Sequence, residues 1–387
     1  MSAIPLDALQ RRTTASDLRP VMLDVRALTA YLDDEHAALK AQIRAVLSRP
    51  EFAYRYDLER AAHCDLILQR CTLLAQHRWA DALFPDADGR SDVAAFLAAL
   101  ETLGISDPNL LIKFGLQFGL FGGAIVYLGG TRHHRTYLPQ VADMSLVGCY
   151  GMTELGHGSD IRAVRTTATY DVASGEFVVH TPEPSARKQF IGNAGRHARM
   201  AVVFAQLMID GASKGVFGVL VPIRNPDGSL CRGVHIEETG TKAGLLGIDN
   251  GCMGFDHVRV PLDNLLDRFG TVSRDGSYRA LVRDPSALTL RSMSGGRVAM
   301  ALAALSATKS ALTIAIRHGT RRRQFGAPEE TLLLDHPAHQ RRLLPRLATA
   351  FAIDAVLKHA MAMARASQGM SDRGFEELAA GLKAYAT

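Results

Sequence analysis

The chain has 387 residues, 47% of them hydrophobic and 21% charged, with a formal net charge of +5 and a pI near 9.0. That length exceeds one ordinary core and that balance excludes a disordered chain, so more than one packed unit is expected. The positive charge is compatible with an anionic ligand bearing several phosphates. The arginines are scattered apart from Arg321–Arg323 and the pairs Arg11–Arg12 and Arg341–Arg342, without the basic stripe interleaved with aromatics that a nucleic-acid surface needs, so no nucleic-acid partner is expected.

In chain order, the first 140 or so residues read as helical. Leu28, Leu32, Leu39, Ile43 and Leu47 recur at helical spacing, and so do Leu58, Ala62, Leu66 and Leu73. Ser106-Asp107-Pro108 is a helix start, with proline where a missing N–H costs nothing. That helix enters a glycine-broken apolar stretch. Within it Leu110 to Leu128 carries Lys113, Gln117 and four glycines, so no membrane span is expected. The run GLFGGA at 119–124 reads as close helix packing. No G-x-G-x-x-G opens a strand-to-helix turn, so a Rossmann nucleotide site is not indicated.

From Ser145 the texture changes to short strands: Thr167 to Tyr170 and Phe177 to His180 around a hairpin, then Met200 to Ile209, Val216 to Ile223, Val234 to Glu237 and Gly254 to Val260. Strands at this spacing with no helices between them predict a barrel or sandwich and not βαβ units. Helical period returns from Ser286. One run covers Leu288 to Arg323, a second follows Pro337 with Pro345 expected to kink it or mark its true start, and a third begins near Asp372. Phe375, Leu378, Ala379, Leu382 and Tyr385 hold helical spacing to the end without a stop signal. The last helix is therefore expected to be cut short, with an apolar face still to cover. The expected architecture is a multidomain α and β chain: an N-terminal helical domain over 1–144, a middle β domain over 145–270 and an incomplete C-terminal helical bundle over 285–387.

The N-terminal segment MSAIPLDALQRR lacks a signal-peptide layout and KAYAT is not a Ser-Lys-Leu type address. The five cysteines form no C-x-x-C pair, so a reducing cytoplasm is the expected location. His133-His134 and the His336/His339 pair lack the partners of a metal site, and no metal is expected.

The strongest local signal runs from Gly148 to Asp160, GCYGMTELGHGSD. Glycines beside Thr153 and Ser159 let backbone N–H groups and hydroxyls approach a flat polar ligand; a polar turn entering a β domain explains them equally well. This segment resembles the TELGHG signature of acyl-CoA oxidases, the peroxisome-type branch of the acyl-CoA dehydrogenase superfamily. Three more stretches resemble that family in the same order: RKQFIGNA at 187–194, GIDNG at 247–251 before GFDHVRVP, and RRQFG at 322–326.

The resemblance implies an acyl-CoA dehydrogenase-like fold, FAD as cofactor, and oxidation of acyl-CoA by O2 to trans-2-enoyl-CoA and H2O2, in a chain of bacterial source. It implies that Thr153 and Ser159 hydrogen-bond the flavin, with Ser159 also near substrate. Phe190 lies against the ring, and Gly192 presents its N–H toward N5, its missing side chain leaving room for oxygen. Arg322, Gln324 and Phe325 serve the FAD of a neighbouring subunit, so at least a dimer is implied. Arg297, 25 residues before Arg322, matches a substrate-pocket arginine. The family's catalytic glutamate lies beyond a C-G-G-x-G-Y-like motif that this sequence lacks, and Gly296 stands where some relatives carry the base. A separately encoded C-terminal half is therefore one expectation. The alternatives are a dehydrogenase with another electron acceptor, and a non-catalytic protein that binds acyl-CoA or FAD.

Overall fold

The computed structural model describes residues 24–291, 294–366 and 373–387. Contacts divide the chain into two compact units, Met1–Ala38 and Leu39–Thr387. In the first, helix α1 (Val25–Asp33) is capped by Asp24, whose carboxylate accepts the N–H groups of Arg26 and Ala27 at 2.9 and 3.0 Å.

Helix α2 (Ala37–Leu47) spans the boundary between the units; within the second, α3 (Arg60–Ala75) leads to α4 (Val93–Ser106), which is apolar all round and buried along nearly its whole length. Asp107 then caps α5 (Pro108–Phe114), accepting the N–H of Asn109, with Pro108 in the first turn as the sequence predicts. A π-helical stretch over Gly115–Gly122 continues into α6 (Gly123–Leu128), followed by α7 (Thr131–Ala142). The glycines do serve close packing: a Cβ on Gly119 would meet the Phe96 ring at 3.2 Å, and one on Gly122 would meet Phe84 and Val141 at the same distance.

The middle region holds β1 (Gly148–Gly151), β2 (Thr167–Asp171), β3 (Glu176–His180), β4 (Lys188–Gly192), β5 (Met200–Ile209), β6 (Ala212–Pro222), β7 (Val234–Glu238), β8 (Asn250–Phe255), β9 (Val258–Pro261), β10 (Gly270–Val272) and β11 (Tyr278–Ala280). A six-stranded sheet runs β1-β5-β2-β3-β9, with β6 on the other edge of β5; β4-β8-β7 form a second sheet and β10-β11 a third. The first two bury one apolar core between them, with Phe177, Val203, Phe217 and Phe255 in it. The stretch Gly254–Val260 is not one strand as its composition predicts. The chain turns at Asp256–His257 and passes from the second sheet to the first.

The C-terminal helices are α8 (Pro285–Arg291), α9 (Ser294–Gly319), α10 (Pro337–Ala366) and α11 (Arg373–Ala386). Pro345 neither starts α10 nor ends it; the helix runs through. The expected start at Asp372 lies outside the described residues. Helices α9 to α11 share one apolar core with α4. A polar clamp crosses it: Glu101 accepts from Lys40 at 2.8 Å and from Lys309 at 2.6 Å, and Lys309 also donates to Asp354 at 2.6 Å.

Among the described residues, the helical stretches Pro108–Leu128 and Pro337–Ala366 are long and apolar enough to cross a membrane by length and composition. The first lies inside the fold over 67% of its apolar window, and its Lys113 is fully buried in an ion pair, so its hydropathy reflects burial in protein.

Candidate flavin- and acyl-facing site

The signature begins on β1, which pairs in parallel with β5 from Gly148↔Met200 onward. Gln117 of the π-helical stretch sets its start: the side chain accepts the Gly148 N–H at 2.9 Å and donates to Leu146 O at 2.8 Å. Gly148 admits no other residue there, since a Cβ would lie 2.1 Å from the Phe121 ring.

After β1 the chain lies along the segment leading into β4. Gln189 N–H donates to Thr153 O at 2.9 Å, Leu155 N–H to Arg187 O at 3.0 Å, and Gly156 N–H to Ser185 O at 2.8 Å. Beneath this ladder Glu154 is buried. Its Oε1 accepts from Lys188 Nζ at 2.9 Å and Thr166 Oγ1 at 2.6 Å, and its Oε2 accepts Arg165 N–H at 2.7 Å. Burial opposes the charge of Glu154, but Lys188 and these hydrogen bonds outweigh it and hold the carboxyl below its usual range. Burial pulls the Lys188 ammonium down to about 8, with Glu154 pulling the other way. A carboxylate so enclosed anchors the loop and is not placed to take a proton from a ligand.

What the ladder presents outward is different. Thr153 and Ser159 are exposed, and among the described residues neither hydroxyl has a hydrogen-bond partner. Leu155 and Phe190 are large apolar groups 62% and 63% exposed, and the strand carrying Phe190 is joined to Thr153 through the Gln189 N–H. Phe190 is in the left-handed region (φ 57°), a costly conformation for an aromatic residue. Asn250 fixes it by donating its side-chain N–H to Phe190 O at 2.7 Å. Gly251 follows because a Cβ would meet Gly195 N at 2.9 Å. The N-G motif is thus a prop for the Phe190 turn.

Gly192 differs from its sequence-based expectation. A Cβ there would sit 2.4 Å from Leu116 Cδ1, so the space left by the missing side chain is filled by leucine and is not an open path for oxygen. Leu116 and Leu120 lie one turn apart on the π-helical stretch. Leu120 Cδ2 lies 3.7 Å from the Cβ position of Gly296, and Arg297 beside it is exposed. Gly192 thus packs on Leu116 and Gly296 on Leu120, both leucines belonging to the same helical stretch.

Among the described residues, no hydrogen bond or ring contact joins Arg322, Gln324 or Phe325 to this surface within the chain. They sit on an excursion between α9 and α10, closed by Gln324 N–H to Thr331 O at 2.9 Å and Leu333 N–H to Arg322 O at 2.8 Å. Phe325 is 71% exposed at φ 57°, and His336 donates to Gln324 O at 2.9 Å. His133 and His134 bond backbone carbonyls of Asp263, Ile125 and Val126.

One cluster escaped the sequence reading. Lys113 Nζ, fully buried, lies 2.7 Å from Asp249 Oδ1 and 2.8 Å from His197 Nδ1, and His197 Nε2 lies 2.8 Å from Asp65 Oδ1. Asp249 Oδ2 accepts the N–H groups of Arg196 and His197. Burial works against its charge, yet His197 and Lys113 hold the carboxyl well below the usual range. The available signal was Lys113 itself, a cation inside an apolar helix.

A helical, β, helical order with an exposed aromatic turn at the sheet boundary defines the acyl-CoA dehydrogenase-like class of flavoprotein folds. Residues 149–258 match the family model "Acyl-CoA dehydrogenase, middle domain", and residues 290–387 match "Acyl-CoA oxidase, C-alpha1 domain". The chain belongs to the acyl-CoA oxidase family.

It is 35% identical over 401 residues to the peroxisomal acyl-coenzyme A oxidase 2 of Arabidopsis thaliana, covering 99% of this chain and 57% of that protein. It is 42% identical over 281 residues to that plant's peroxisomal acyl-coenzyme A oxidase 3, covering 71% and 41%. The crystal structure of acyl-CoA oxidase 1 from Yarrowia lipolytica superposes with a TM-score of 0.82 at 30% identity, over 94% of this chain and 56% of that one. Acyl-CoA oxidase-2 of Caenorhabditis elegans, solved with FAD, ascaroside-CoA and ATP, superposes at 0.76 and 27% identity, over 93% and 55%. The chain spans about half the length of the relatives it matches. These relatives are eukaryotic and lend no support to a bacterial source.

Proposed function

We propose that the chain is the FAD-holding and acyl-CoA-facing part of an acyl-CoA oxidase, in which acyl-CoA and O2 give trans-2-enoyl-CoA and H2O2. The observation that carries it is the Phe190 turn: an exposed aromatic ring whose carbonyl is held by Asn250, on a strand joined by Gln189 N–H to Thr153 and followed by Gly192, which packs against Leu116. A flat ring with polar edges suits such a surface, so the residues fit FAD. When bound, FAD supplies the acceptor for the hydride leaving the acyl β-carbon.

In this reading Thr153 and Ser159 donate to the flavin edge, with Ser159 near the thioester as well. Phe190 lies along the ring, and Gly192 offers its N–H. Leu116 and Leu120 exclude water from the acyl chain, and Arg297 lies at its polar end. Arg322, with its planar fork for phosphate oxygens, and Gln324 and Phe325 serve the FAD of a second subunit in a homodimer or higher oligomer. Removal of the α-proton needs a carboxylate. Glu154 is spent on Lys188 and Thr166, and the residues packed at Gly192 and Gly296 are leucines. The base therefore comes from outside these residues, either from the same polypeptide or from a separately encoded half.

The test is reconstitution with FAD followed by gel filtration, read by flavin absorbance. The protein is expected to carry FAD, and Thr153→Ala and Arg322→Ala to lose it while their far-UV circular dichroism stays unchanged. Wild-type protein that elutes without flavin at saturating FAD would overturn the reading.

A further inference from the structure

A second cluster of ligand-type side chains lies at the far end of β8. His180 ends β3, and Asp256 and His257 form the corner at which the chain leaves the second sheet for the first. One donor atom from each of the three lies within 4.8 Å of the others. Asn250, which props Phe190, is six residues away along the strand, about 20 Å at the usual rise, so this cluster is separate from the flavin-facing surface.

The corner is held rigidly. Thr181 N–H donates to Phe255 O at 2.8 Å, and the Thr181 hydroxyl accepts Phe255 N–H at 3.0 Å. Asp256 N–H donates to Gly233 O at 2.8 Å, and a Cβ on Gly233 would meet Asp256 O at 2.5 Å. His257 is in the left-handed region (φ 50°), a strained state that persists only where the surroundings enforce it.

The imidazoles of His180 and His257 stack with centroids 4.0 Å apart. His257 Nδ1–H donates to Asp256 Oδ1 at 2.7 Å. His180 Nδ1 stands 3.9 Å from the same oxygen, buried and without a hydrogen-bond partner. A buried imidazole nitrogen left unpaired is uncommon, and this one is aimed at an anionic oxygen too far away for a hydrogen bond. Bonds of 2.0–2.1 Å at tetrahedral angles put ligand atoms about 3.3 Å apart, between the 2.7 and 3.9 Å seen here. A third imidazole, His235 of β7, faces Gly254 across the ladder and is exposed.

We propose that His180, Asp256 and His257 form a binding site for a borderline divalent transition metal, Zn2+ in the first instance, which clips β3 to the β8–β9 corner. Two imidazoles and one carboxylate suit such a metal and not Ca2+ or Mg2+, which take oxygen ligands. Binding displaces the proton on His257 Nδ1 and gives His180 Nδ1 the partner it lacks. His235 or water completes the shell. The sequence hides the site because His180 and His257 are 77 residues apart.

The test uses the full chain, free of any affinity tag and stripped with a chelator, titrated with ZnCl2 by calorimetry and with Co2+ by visible absorption. One equivalent is expected to bind with a rise in Tm. His180→Ala and His257→Ala are each expected to weaken binding at least about tenfold, because even outer-shell changes at metal sites cost 10–100-fold. Asp256→Asn, which keeps the shape of the corner, serves if either alanine variant misfolds, and FAD retention is expected to be unchanged in all three. Failure to bind one equivalent, or binding and a Tm rise equal in wild type and Asp256→Asn, would overturn the proposal.

Discussion

Gly192 shows how one residue type serves two readings. From sequence its missing side chain is room beside a flavin; in the fold that room is occupied, with Leu116 Cδ1 2.4 Å from where a Cβ would stand. Gly192→Ala is therefore expected to destabilise the protein by about 1–3 kcal/mol, the usual cost of overpacking. Leu116→Ala in the same chain is expected to recover part of that loss, giving a double-mutant coupling well above additivity. Denaturant midpoints of the two single variants and the double variant measure it; additive losses would show that Leu116 is not what excludes the side chain. Asn250 is a comparable case. Its amide fixes the Phe190 carbonyl, so its contribution reaches the flavin-facing surface through another residue.

At the scale of elements, α5 is fastened to the loop before β8 by one buried ion pair, Lys113–Asp249, with His197 between α3 and the β region. Removing one member of such a pair strands the other, at about 3–5 kcal/mol. The two partners are unequal, however. Lys113→Met leaves Asp249 with His197 and two backbone N–H donors, whereas Asp249→Asn leaves Lys113 buried with no counter-charge. Asp249→Asn is accordingly expected to be the more damaging in urea unfolding. Because Asn250 is the next residue, it is also expected to reduce FAD retention. Equal losses from both substitutions would mean that the N–H donors contribute little. The clamp was only half legible in sequence: a lysine in an apolar helix announces a partner, but nothing local says that the partner is 136 residues away.

For the whole molecule, three buried carboxylates bear on acid stability. Glu101, Glu154 and Asp249 each resist burial and are held below their usual range by lysines, with His197 added at Asp249. In the unfolded chain they titrate at about 4. A folded pKa below that value means the unfolded state binds more protons in acid, so their contribution is complete above about pH 5 and is lost as pH falls through 4 and below. Tm is expected to be nearly level with respect to these groups between pH 5 and 7 and to fall steeply below pH 4. Glu154→Gln is expected to lower Tm at pH 7 and to flatten that acid slope, because one of the titrating groups is gone. An unchanged slope would show that Glu154 is not among the groups responsible.

Local sequence determined a good deal of this protein. Periodicity located the strands from Thr167 to Ile223 and the long C-terminal helices, because side chains alternate on a strand and repeat every turn on a helix whatever surrounds them. The cap at Asp107 with Pro108 behind it was equally local. Four motifs in order carried the family. Short strands such as β1 and β4 were not legible, because their pairing with β5 and β8 comes from distant chain and their own residues are glycine-rich or charged. Pro345 does not mark the start of α10, which runs from Pro337 through it to Ala366. Tertiary structure alone decided that Glu154 is held by Lys188 and Thr166, that Leu116 fills the space at Gly192, and that His180 meets Asp256 and His257. In each case the deciding contact joins residues whose separation along the chain carries no periodic signal, and burial and distance exist only once the sheets and helices have packed.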